Sequence, residues 1–126
     1  GGLGAGAAAF FDAVLTPGID AVIDACGLRQ ALRKAAWCIT GEGCFDQTSL
    51  RGKVVSGVAS AAREAGAQVA VFAGTVRVAP SDWRAAGISD VHALRRPGMP
   101  LAESLRHAPE LLYDTARMWM LRTMTP

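Results

Sequence analysis

Long apolar runs are missing from these 126 residues. No stretch approaches the roughly 20 consecutive apolar residues of a membrane-spanning helix, so no membrane partner is expected. Charge of one sign is also scarce. A formal net charge of +2 is too small a basic excess to argue for nucleic acid. The three cysteines, Cys26, Cys38 and Cys44, are odd in number and lack metal-ligand spacing. That pattern points to reduced thiols and a cytoplasmic setting. His92 and His107 have no carboxylate or cysteine pattern around them and read as an ordinary strand and helix histidine. Aromatic residues make up only 6%, and Trp37, Trp83 and Trp119 read as packing residues rather than a stacking platform. No internal repeat or low-complexity segment appears. What is present is a chain 51% hydrophobic and 19% charged, a globular composition long enough for one domain with a sizeable core.

The opening is rich in glycine, and residues 7–15 read as an apolar helix. Gly2, Gly4 and Ala7 formally fit the G-x-G-x-x-A dinucleotide fingerprint. No strand precedes them, so glycines that let a helix pack closely or line a cleft are the better account. After Thr16, Pro17 and Gly18, the residues Ile19, Val22, Ile23 and Cys26 recur at helical spacing. Asp20 and Asp24 lie opposite them, a solvated face rather than a metal pair. Gly27 stops this helix, and residues 28–34 form a short basic one.

Residues 35–39 predict a buried strand, residues 54–65 a helix closed by Gly66, and residues 68–73 a second buried strand ending at Gly74. A short helix over 80–86 stopped by Gly87, a weaker strand over 91–94 and a loop over 95–100 follow. From Leu101 to about Met124 the pattern is helical, with Leu101, Leu105, Leu112, Ala116 and Trp119 as core candidates and a break at Pro109. The order β-α-β-α-β-α implies a parallel sheet with right-handed crossovers. The expected class is therefore α/β, a three-layer arrangement with a flavodoxin-like or Rossmann-like sheet. Residues 1–35 read as a glycine-rich loop and helical lead-in, and residues 36–126 as the α/β unit.

Chemistry concentrates in residues 40–53, between the first strand and its helix. That is the carboxyl end of a parallel strand, where open α/β sheets place their ligands. Gly41 and Gly43 would let the backbone approach a bound group. Asp46 is either a metal-seeking or catalytic carboxylate or a turn residue that caps the backbone. Lys53, near a helix N-terminus, is either a phosphate contact or a surface lysine. A P-loop is excluded, because Gln47 and Val54 stand where that motif needs Gly and Ser or Thr. Glu42 faces either a cleft or water. Thr48 and Ser49 either bond phosphate oxygens or cap the next turn. Arg95 and Arg96 follow a strand on the ligand side of the sheet, as a solvated pair or as an aid to phosphate or carboxylate binding.

Residues 40–53 resemble the glycerate kinase family. Thr40, Gly41, Glu42, Gly43, Asp46, Gly52, Lys53, Gly57, Val58 and Ala59 match its pattern, as do the opening glycines of residues 1–6, residues 17–20 and residues 72–75. The resemblance implies transfer of the ATP γ-phosphoryl group to a hydroxyl of D-glycerate, with Mg²⁺ and ATP as cofactors. It implies Asp46 and Lys53 as catalytic groups, with Asp46 also the metal ligand. It further implies Gly41, Glu42, Gly43, Thr48, Ser49, Gly2 and Gly4 as substrate- or phosphate-binding positions. The chain then corresponds to the C-terminal third of a longer enzyme, inactive when isolated and open to homo-oligomerisation. Cys44 stands where the family usually has Arg, and Thr48 where it usually has Gln. These departures keep open a homologue that retains the fold without turnover. An oxidoreductase nucleotide module would need an acidic residue ending the second strand, where Ala73, Gly74 and Thr75 stand instead.

Overall fold

The computed structural model describes residues 2–123; Gly1, the start of the glycine run, and Met124, the expected end of the last helix, lie outside the described residues. Helices α1 (Gly2–Phe11), α2 (Gly18–Ala25) and α3 (Leu28–Leu32) lead into strand β1 (Trp37–Phe45). Then come α4 (Val54–Ala65), β2 (Gln68–Val76), α5 (Pro80–Ala85), β3 (Asp90–Ala93), α6 (Leu101–Arg106) and α7 (Ala108–Thr123). The strands form one sheet in the order β1-β2-β3. Both pairings are parallel, β1 on β2 from Trp37↔Gln68 to Phe45↔Val76 and β2 on β3 from Ala70↔Asp90 to Ala73↔Ala93.

The central strand explains the layering. Val69, Val71 and Ala73 alternate with Ala70 and Phe72, and all five are buried, as expected of a parallel strand covered on both faces. The first set joins a core with Ile23 of α2, Leu32 of α3, Val55, Val58, Ala59 and Ala62 of α4, and Trp83 of α5. The second set packs under α7, where Trp119 meets Ala70 and Phe72. Trp119 stands edge-on to Trp37 at 5.1 Å and to Phe72 at 5.7 Å between ring centroids. Full burial of a Val or Phe side chain is worth about 1.5–3 kcal/mol, so both sheet faces contribute to stability.

Several expectations are corrected. Residues 40–45 are not a loop: β1 runs through Gly41 and Gly43 to Phe45, and β2 likewise passes Gly74 to reach Val76. A Cβ on Gly41 would overlap the carbonyl oxygen of Phe72, and one on Gly74 would sit 2.6 Å from the carbonyl oxygen of Gly43. These are strand glycines that permit close pairing of two backbones. The opening glycines Gly2, Gly4 and Gly6 lie inside helix α1 rather than in a loop. Leu101, Leu105 and Leu112 are exposed, while Leu111 and Ser104 are buried. The helix breaks at His107 and restarts at Ala108; Trp119 is buried and Ala116 packs against its cluster as expected, while Leu111 is buried in place of Leu112. Pro109 sits in the first turn of α7, where its missing N–H is harmless.

Candidate functional site

The β1–α4 connection, residues 46–53, is built around Asp46. Its Oδ1 accepts from the Thr48 N–H at 2.8 Å and from the Thr48 hydroxyl at 2.7 Å, a turn that Asp side chains commonly close. The ammonium Nζ of Lys53 donates to Thr48 Oγ1 at 2.6 Å. One hydroxyl therefore links a carboxylate to an ammonium. The Thr48 hydroxyl and N–H, followed by smaller contributions from Ser49 and the Lys53 charge, hold the Asp46 carboxyl below the usual carboxylate range. The group is thus ionised at neutral pH, and because both Thr48 donors fall on Oδ1, Oδ2 retains acceptor capacity.

Ser49 braces the turn from inside. It is 1% exposed; its Oγ accepts from the Asp46 N–H at 3.2 Å and donates to the Cys44 carbonyl at 3.5 Å. Gln47 reaches Asp82 of α5, tying the turn to the next crossover. At the start of α4 the Lys53 N–H donates to Ser56 Oγ at 2.9 Å, which satisfies a backbone donor and leaves the Lys53 side chain to the turn.

Glu42 and Gly43 line a separate hollow of about 190 Å³, together with Gly74, Thr75, Leu101 and Ser104. Glu42 Oε1 is buried and has no hydrogen-bond partner. An unpartnered buried polar atom costs about 1–3 kcal/mol, so this oxygen is an acceptor suited to a hydroxyl or amino donor. Gly41 serves strand pairing. Gly2 and Gly4 stand on α1, with Gly4 against Leu15. The fold thus brings Asp46, Thr48, Ser49 and Lys53 into one hydrogen-bonded turn and sets Glu42 and Gly43 in the hollow beside it along β1.

Asp20 is half-buried and Asp24 exposed, and they pair with Arg29 at 3.8 and 3.0 Å on the solvated side of the helix; such pairs add little stability. His92 bonds Asp90 at 2.9 Å and stacks on Phe72. Burial pushes the Cys38 thiol up, as for an inert core cysteine. Thr75, noted in the sequence only within the 72–75 match, and Arg77, which no sequence pattern singled out, line the same cleft as Arg95 and Arg96. Reading the second strand on to Val76 would have placed both at its carboxyl end.

The model of the Glycerate kinase family matches residues 1–124. The chain is 38% identical over 117 residues to the glycerate kinase of Halalkalibacterium halodurans, covering 93% of this chain and 31% of that protein. It is 32% identical over 117 residues to the glycerate kinase of Bacillus subtilis strain 168, with the same coverage of 93% and 31%. A crystal structure described as a glycerate kinase 2 of Salmonella typhimurium LT2 superposes with a TM-score of 0.71 at 34% identity, over 97% of this chain and 31% of that one. The chain therefore spans about a third of the length of these relatives.

Proposed function

The chain belongs to the glycerate kinase family, and on that premise we propose that it supplies part of a cytoplasmic site that transfers the γ-phosphoryl group of ATP to a hydroxyl of D-glycerate. In this reading residues 36–126 are the C-terminal α/β unit of a larger enzyme, and residues 1–35 lead into it. The observation that carries the reading is the Asp46–Thr48–Lys53 linkage just beyond the carboxyl end of β1. Phosphoryl transfer needs positioning and neutralisation of charge more than covalent help. An ammonium and an ionised carboxylate held one hydroxyl apart are suited to both.

The donor set fits ATP with Mg²⁺. Mg²⁺ is usually bound through one or two carboxylates with phosphate oxygens and waters completing the shell, and Asp46 is ionised with Oδ2 able to accept. ATP would supply the group transferred, and Mg²⁺ would neutralise charge on its phosphates. Lys53 would offset charge on a phosphoryl oxygen with the two N–H donors not engaged by Thr48. Asp46 would either hold the cation or take the proton of the attacking hydroxyl. Glu42 would accept a hydrogen bond from a substrate donor, and the exposed backbone at Gly43 would border that group.

A second reading is a family member that keeps the fold without turnover. It is favoured by Cys44 at the family's Arg position and by Thr48, whose hydroxyl is already committed to Asp46 and Lys53. A coupled ATP-consumption assay on the full polypeptide separates the two. D-glycerate-dependent turnover that falls in Asp46→Asn supports the kinase, whereas a folded protein with no such turnover supports the second reading.

A further inference from the structure

At the carboxyl ends of β2 and β3 lies a cleft of about 230 Å³, walled by Thr75, Arg77, Arg95, Arg96 and Gly98. Three backbone hydrogen bonds pin its walls. The Arg77 N–H donates to the Phe45 carbonyl at 2.7 Å, the Leu94 N–H to Ala73 at 2.8 Å, and the Arg95 N–H to Gly74 at 3.0 Å. These bonds carry the ladder past the last paired residues and hold two arginines on neighbouring chain segments. Arg96 has a distant carboxylate partner, Asp114 at 3.7 Å. Among the described residues Arg77 and Arg95 have no carboxylate within ion-pair distance.

We propose that this cleft is an oxyanion-binding subsite in which Arg77 and Arg95, with the Thr75 hydroxyl, hold a phosphoryl group or a carboxylate. A guanidinium presents parallel N–H donors that match such oxyanions bidentately. The carboxyl ends of parallel strands are where an open α/β sheet receives a ligand. Thr75 also borders the hollow that contains Glu42, so the two spaces adjoin. A molecule anchored here by its anionic group can extend toward an acceptor suited to hydroxyl or amino donors. That the anion belongs to ATP or to D-glycerate rests on the kinase reading; the subsite itself rests on the arginines.

The test is calorimetric titration of inorganic pyrophosphate, ATP and D-glycerate into the full polypeptide and its Arg77→Gln/Arg95→Gln variant, with Arg33→Gln, just after α3, as control. Pyrophosphate binding should weaken about tenfold or more in the double variant, the scale of losing charge-assisted hydrogen bonds, and stay unchanged in the control. Parallel weakening of ATP alone assigns the cleft to a phosphoryl group, and of D-glycerate alone to a carboxylate. Loss of pyrophosphate binding in a protein that takes neither ATP nor D-glycerate overturns the kinase reading and leaves the subsite standing. Absence of pyrophosphate binding by the wild type, or unchanged affinities in a folded double variant, overturns the subsite. Should the double variant fail to fold, Arg77→Lys/Arg95→Lys keeps the charge but not the fork; unchanged pyrophosphate affinity there overturns bidentate recognition, and weakened affinity supports it.

Discussion

At Asp46 structure and chemistry draw on the same side chain, because its Oδ1 closes the turn while its charge faces Lys53 through Thr48. Asparagine keeps a carbonyl oxygen for the Thr48 donors but removes the charge, so Asp46→Asn isolates the chemistry. In the full polypeptide its kcat for D-glycerate phosphorylation should fall by about a hundredfold or more, the scale of a general acid–base contribution. Near-normal kcat would sink the catalytic assignment. The depressed pKa of Asp46 also has a pH signature. Its stabilisation is fully present above the unfolded carboxylate value of about 3.9 and is lost as pH falls through the lower folded value. Asp46→Asn should therefore melt slightly below the wild type at neutral pH, with the gap closing in acid. A gap that stays constant from pH 7 to pH 3 would show that the charge adds nothing to the fold.

Among the elements, the β1–β2 pair depends on two glycines with no room beside them. Gly41→Ala and Gly74→Ala each press a methyl group onto a carbonyl oxygen of the neighbouring strand. Overpacking of this kind typically costs about 1–3 kcal/mol. Gly43 has nothing within 4 Å of its notional Cβ, so Gly43→Ala should melt close to the wild type. Thermal melts of the three variants check the ranking, and equal melting temperatures would show that the strands part without penalty. Helix α7 offers a matched contrast. Leu111 is 5% exposed and Leu112 45%, so Leu111→Ala should cost about 2–5 kcal/mol and Leu112→Ala far less. The reverse order would mean that the buried stripe has been placed one residue out of phase.

For the molecule as a whole, the described chain leaves much apolar surface open. Helix α1 buries none of its residues, and Leu3, Phe10, Phe11 and Val14 are each at least 83% exposed. Strand β1 is an edge strand with Ile39 57% exposed. Open edges and large apolar patches promote association. The 126-residue chain on its own should therefore self-associate, and in the coupled assay it should show no appreciable D-glycerate-dependent turnover. Sedimentation of a monodisperse monomer with a sharp cooperative melt would count against the first expectation, and robust turnover against the second. Among the described residues no helix is long and apolar enough to cross a membrane.

The sequence by itself determined the parallel α/β class, the positions of α4 and α5 and the buried identity of residues 69–73. Those signals are local: an apolar run, a glycine just past a helix, a proline at a helix start. The family was legible too, because its matching residues crowd into residues 40–59. Only the tertiary structure decided that residues 40–45 are strand, since their hydrogen-bond partners lie some thirty residues away in β2. It likewise decided that Leu111 rather than Leu112 is the buried leucine of α7, in a helix that restarts at Ala108. The cleft of Thr75, Arg77 and Arg95 joins two separate strand ends. No local periodicity carries such a pairing; backbone hydrogen bonds between distant segments create it.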